Sequence, residues 1–113
     1  MEQIYNKLVR DNIPSIIKKN GGEPYIRVLS EEEYRTELEK KLFEEYNEVL
    51  EVTSSDRIEE LADMLEIISS LAKLENASLE DVIEVMNKKR EKRGGFENKI
   101  FLEKVIELGK QKK

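Results

Sequence analysis

Apolar positions recur at helical spacing through the middle of the chain. Between about residue 31 and residue 53 the stripe is Leu38, Leu42, Tyr46 and Val49. Ser30 and Glu33 form a capping box that opens this helix. The stretch "TSSD", 53 to 56, breaks it, and Ser55 or Asp56 can cap the next helix, about 57 to 74. There the stripe is Leu61, Met64, Leu65, Ile68 and Leu71. Ser78 with Asp81 resembles a second box, opening a helix through about residue 92, which Gly94-Gly95 ends. Nearer the start, Asp11 can cap a short helix through "IPSIIKKN", with Pro14 in its first turn and Gly21-Gly22 as its stop. "PYIRVL", 24 to 29, is β-prone and reads as a short strand. "FENKIFL" fits either an extended piece or a helix start, and "EKVIELGKQKK" reads as a last helical turn or two fading into a basic tail.

The fold class expected is mainly α: a helical bundle around an antiparallel helical hairpin, with room for a short N-terminal strand pair. The 113 residues read as one domain, 1–113.

On a wheel of about 100° per residue, Glu45 falls between Leu38 and Val52, inside the apolar arc. Glu48 sits one step out, at its edge, while Glu44, Asn47 and Glu51 face away. On the next helix Glu60 and Asp63 lie beyond one edge of the stripe and flank Ile67, whereas Glu59 and Glu66 lie on the other side. An apolar residue between two acids implies that this face is covered. The short connection packs the two helices antiparallel. Residues three apart share a helix face, so Glu45, Glu48, Glu60 and Asp63 can converge. Four buried like charges repel and resist ionisation unless a cation joins them.

Composition narrows which cation. The chain has no Cys and no His. Disulfides, thiolate and imidazole catalysis, and cysteine or histidine metal sites are therefore excluded. Any metal must use oxygen ligands, which favours Mg²⁺, Mn²⁺ or Ca²⁺. Charged residues make up 40% and apolar residues 38%, a polar chain that can still build one modest core. Hairpins of this size often complete that core with a second copy. The net charge of -5 argues against coating nucleic acid. No apolar run reaches membrane-spanning length and no signal peptide is visible, so the expected location is the cytoplasm.

The order Glu44-Glu45-Tyr46-Asn47-Glu48, then Glu60-Leu61-Ala62-Asp63 twelve residues after Glu48, resembles the MazG-like all-α nucleoside triphosphate pyrophosphohydrolases. "YNKLVRDNIP" and "NKKREKRGGFENKIFL" are similar to a small single-domain house-cleaning branch related to phosphoribosyl-ATP pyrophosphohydrolases, and these segments span most of the chain. The resemblance implies a helical bundle assembled as a homodimer or homotetramer. It implies Mg²⁺-dependent hydrolysis of a nucleoside triphosphate to the monophosphate and pyrophosphate. Glu45, Glu48, Glu60 and Asp63 match the family's metal-binding positions.

With no His present, Glu48 or Glu45 is the natural base or water-orienting group. Asn87, Lys89 and Arg93 follow a spacing similar to the family's basic motif. Lys89 and Arg93 share one helical face, suited to phosphate oxygens, and a basic last turn that complements the helix dipole would look the same. Lys7 and Arg10 are candidates of the same kind. Phe96, Tyr25 and Tyr46 read as core residues before base-stacking ones, and "RGGF" could close over a nucleotide. Two other classes compete with the enzyme: a non-catalytic nucleotide- or metal-binding regulatory helical domain, and a structural oligomerisation domain.

Overall fold

The computed structural model describes residues 1–109, so the basic end of the expected tail lies outside the described residues. Four helices follow in order: α1 Ile13–Lys19, α2 Glu31–Glu51, α3 Ser54–Leu74 and α4 Leu79–Arg93. Two compact units divide the chain, Met1–Val82 and the segment from Ile83 onward.

In the first unit α2 and α3 pack on each other. α2 starts where the sequence places it. Glu33 N–H donates to Ser30 Oγ at 3.2 Å, and Ser30 N–H donates back to Glu33 Oε1 at 3.2 Å. Arg27 adds a fork onto the same Glu33 carboxylate, at 3.3 and 3.2 Å. These bonds hold the Glu33 carboxyl below its ordinary range, Arg27 contributing most and the Ser30 amide next. Glu31, Glu32 and Glu33 also face the positive end of the helix dipole.

The break between α2 and α3 is shorter than expected. Val52 and Thr53 alone are extended, and α3 begins at Ser54, whose φ of 56° lies in the left-handed region. Neither Ser55 nor Asp56 caps the helix: Thr53 holds the cap position and makes no side-chain bond there. Arg57 closes the turn by donating from Nε to the Val52 carbonyl at 3.0 Å. A two-residue connection folds α3 straight back along α2.

α3 ends in a Schellman motif. Asn76 takes φ 60°, Ala77 N–H donates to the Ala72 carbonyl at 3.0 Å, and Asn76 N–H donates to Lys73 at 3.0 Å. Ser78 and Asp81 then make the second reciprocal box, at 2.9 and 3.1 Å. α1 stops at Gly21, φ 91°, where Gly22 N–H reaches the Ile17 carbonyl at 2.9 Å. Its N-cap is Asn12, without a side-chain bond, rather than Asp11.

The core is small. Leu38 on α2 and Ile67 and Ala72 on α3 are its buried apolar residues among those described. The inward flank of α3 carries Ile67, with Met64, Ile68 and Leu71 partly covered; Leu61 and Leu65 are exposed. The expected stripe was therefore rotated: Glu60 and Asp63, set beyond its edge, are half-buried on the flank that holds Ile67.

No strand occurs among the described residues, so the strand at 24–29 and the N-terminal strand pair do not form. Tyr25, Ile26 and Val28 are exposed there. β-propensity makes a strand only where a neighbouring edge supplies hydrogen bonds, and none is present. In the second unit, residues 99–108 have no regular structure, so the expected last helical turns are absent at 103–108. Phe96 and Tyr25 are fully exposed and Tyr46 is half exposed, so none of the three is a core residue.

Candidate metal centre

α2 contributes Glu45 and Glu48 from adjacent turns, and α3 contributes Glu60 and Asp63. The two-residue turn sets these segments level with one another. Carboxylate oxygens of Glu45, Glu60 and Asp63 lie within 4.8 Å of one another, and all three residues are half-buried. Glu48 is exposed and stands outside this trio. It remains near enough to Glu60 for its charge to act there.

The electrostatics mark the trio as unsatisfied. Glu45 Oε1 is buried and has no hydrogen-bond partner. A buried carboxylate oxygen without a donor carries an uncompensated desolvation cost. Glu60 answers the strain by holding its proton: its carboxyl is pushed up to about 7. The largest cause is a hydrogen bond to Glu45, followed by burial and then the negative charge on Glu48. Asp63 has a different neighbour. Arg10 Nη2 donates to Asp63 Oδ1 at 2.6 Å, across 53 positions of sequence.

The other acids of the same helices meet water. Glu44, Glu51, Glu59 and Glu66 are exposed, and Glu44 pairs loosely with Lys41 at 3.8 Å. The wheel separates these four from Glu45, Glu60 and Asp63 correctly, but it set Glu48 with the inward acids, and Glu48 is exposed at the edge of the helix face.

The donor set suits a hard divalent cation. Three converging carboxylates, one with a free buried oxygen, offer oxygen ligands alone and excess negative charge. Glu45, Glu60 and Asp63 could hold such an ion, with Glu48 at the rim.

The basic candidates are placed separately. Lys7 is exposed in the first unit, while Arg10 is engaged with Asp63. In the second unit Asn87, Lys89 and Arg93 are exposed along α4, one turn separating Lys89 from Arg93. Arg90, beside them, is tied to Glu97 at 2.6 Å, and Lys88 to Glu84 at 4.0 Å. Lys89 and Arg93 carry no ion pair among the described residues. Gly94 takes φ 86°, and a Cβ on Gly95 would collide with the Glu97 carboxylate. Gly94 is thus favoured by the left-handed backbone of this turn, while at Gly95 the crowding comes from the movable ends of the Glu97 and Arg90 side chains. Nothing local links Arg10 to Asp63, 53 positions apart, so their pairing carries no signal along the chain.

No protein-family model matches the chain, and no solved structure matches it. Among curated proteins, an uncharacterized protein of Mycolicibacterium smegmatis is 44% identical over 50 residues, which is 44% of this chain. The match spans about half of that relative, 51% of its length. No helix among the described residues is long and apolar enough to cross a membrane.

Proposed function

We propose that the protein is a cytoplasmic Mg²⁺-dependent pyrophosphohydrolase that cleaves a nucleoside triphosphate to the monophosphate and pyrophosphate, acting on non-canonical or surplus nucleotides. The reading rests on the resemblance of the acidic motif to the MazG-like enzymes. The observation that carries it is the meeting of Glu45, Glu60 and Asp63 from two helices, with the buried Glu45 Oε1 left without a partner. Surface acids have no physical reason to converge, because convergence costs repulsion that solvated positions avoid.

Glu45, Glu60 and Asp63 would hold the ion, with Mn²⁺ as an alternative to Mg²⁺. When bound, the ion supplies charge neutralisation to phosphate oxygens and lowers the pKa of water. The chain's residues do the rest. Glu60 would release its proton on binding a cation, which would free its carboxylate as a ligand beside Glu45 and Asp63. Glu48, exposed beside them, has the solvent access needed to orient a water or accept its proton. Arg10 keeps the Asp63 carboxylate in a fixed orientation and is a cation within reach of a phosphate at the rim. Asn87, Lys89, Arg93 and Lys7 remain the candidates for the outer phosphates.

The test is pyrophosphate release from a panel of nucleotides with Mg²⁺, comparing the parent chain with Glu48→Gln and Asp63→Asn. Loss of release in both supports the assignment. Release unchanged in both removes the site, and binding without turnover by the parent chain leaves the regulatory reading in its place.

A further inference from the structure

Arg10 meets the trio of acids on one side only. Arg10 Nη2 donates to Asp63 Oδ1 at 2.6 Å, while the buried Glu45 Oε1 has no partner. That one bond contrasts with the fork that Arg27 lays on Glu33, at 3.3 and 3.2 Å. A fork fixes the plane of a guanidinium against its carboxylate. A single end-on bond leaves the side chain able to swing away. Both partners are also largely exposed, so water takes up each charge when they part.

The backbone supports the same movement. Residues 1–10 form no helix or strand, and α1 begins only at Ile13. The Arg10 carbonyl accepts from Ile13 N–H at 3.0 Å. That bond ties the main chain to the turn into α1 and leaves the side chain as the moving part.

We infer that Arg10 is an internal stand-in for the cation, and that a divalent ion displaces it from Asp63; the inference rests on the metal reading of this site. Competition follows from charge. The guanidinium brings one positive charge to one acid of the trio. A divalent ion brings two, and oxygens of Glu45, Glu60 and Asp63 converge closely enough to meet it together. Whichever oxygen of Asp63 takes the ion, a guanidinium 2.6 Å from the same carboxylate sets like charges side by side. The contact that gives way is the one with a single bond and solvent at hand. In the metal-free chain Arg10 orients Asp63. When the ion arrives, Arg10 hands the carboxylate over, and its charge is released at the rim for any anion that the ion brings. Arg10 therefore raises the ion concentration at which the site fills.

Binding of Mn²⁺ alone to the full chain, followed by electron paramagnetic resonance, tests the exchange without turnover. Arg10→Ala and Arg10→Gln remove the charge and should bind Mn²⁺ about two- to fivefold more tightly than the parent, the scale of an exposed pair. Arg10→Lys keeps the charge and should bind like the parent. A second readout follows the side chain itself. The Arg10 guanidinium N–H signal in a nuclear magnetic resonance spectrum is the one missing from Arg10→Lys. It should leave its bonded position when Mg²⁺ is added to the parent. Both results together support the exchange. A signal unmoved at saturating Mg²⁺, or Ala and Gln variants that bind Mn²⁺ no more tightly, overturns it while the metal site stands, with Arg10 as a fixed support of the ligated Asp63. Absence of Mn²⁺ binding in the parent and in every variant removes the metal reading, and the exchange with it.

Discussion

Glu44 and Glu45 are neighbours in the chain with the same carboxylate, and they sit in different media. Glu44 is in water beside Lys41. Glu45 has one oxygen buried without a partner and shares its surroundings with two more acids. Glu59 and Glu60 repeat the contrast on α3: Glu59 is exposed, and Glu60 has a carboxyl pushed up to about 7. One step along a helix turns a side chain by about 100°, enough to change a solvated charge into a group that lacks a counter-ion. The outward acids are exposed to solvent. The inward acids lack the counter-charge that the proposed cation would supply.

The sharpest way to break this comparison is to neutralise one acid of each kind. Glu45→Gln should lower Mg²⁺-dependent pyrophosphate release about 100-fold or more, the usual scale for removing a charge-stabilising group at a reacting centre. Glu44→Gln and Glu66→Gln should leave it unchanged. Equal losses in a steady-state assay would mean the two classes do not differ.

Next in size is metal-linked stability. An ion that binds only the folded chain stabilises it by about 2.7 kcal/mol at a hundred times its dissociation constant. A calorimetric scan with and without Mg²⁺ should show the rise in melting temperature. The rise should vanish in Asp63→Asn and persist in Glu59→Gln.

The pH dependence without metal sharpens the contrast further. Glu60 has a folded value of about 7 against an ordinary 4.5, so the folded chain holds a proton that the unfolded chain releases. Its stabilising effect is full below about 4.5, declines as pH rises through about 7, and is absent above. Glu60→Gln keeps a neutral side chain throughout and should flatten this decline in melts taken across that range. A parent profile that rises over the same interval would contradict the cluster's repulsion.

The smallest effect concerns Arg10. Its pair with Asp63 is largely exposed, at 59% and 43%, and exposed pairs contribute at most about 1 kcal/mol. Arg10→Ala should therefore shift denaturant midpoints slightly, while a phosphate role would appear as a raised KM for nucleotide. A large stability loss with unchanged KM would make Arg10 a purely structural counter-ion.

What was legible in advance was local. The boxes at Ser30–Glu33 and Ser78–Asp81 and the glycine stop of α1 rest on atoms a few residues apart, and all three form. On α2 the wheel separated Glu45 from Glu44 and Glu51, but it set Glu48 among the converging acids, and Glu48 is exposed. The α3 stripe was misread by a fraction of a turn: Leu61 and Leu65 look like core by composition, yet Ile67 and the acids face inward. A wheel gives the relative angles on a helix and not the direction of its neighbour. The strand at 24–29 failed for a related reason, since extended residues need an edge that the other described residues do not offer.

The sequence by itself determined where the three main helices begin and which acids were candidates to meet, because capping, periodicity and residue chemistry act over a few positions, while the turn between α2 and α3 fell at Val52–Thr53 rather than at 53–56. Tertiary structure alone decided that Glu45, Glu60 and Asp63 share one space, that Glu48 stands at the rim, and that Arg10 reaches Asp63. Those outcomes depend on how one helix rotates against another and where a distant segment comes to lie. Such geometry is set by how α2 packs on α3, where Leu38 and Ile67 are buried, and by the path of the N-terminal segment, not by any spacing written along the chain.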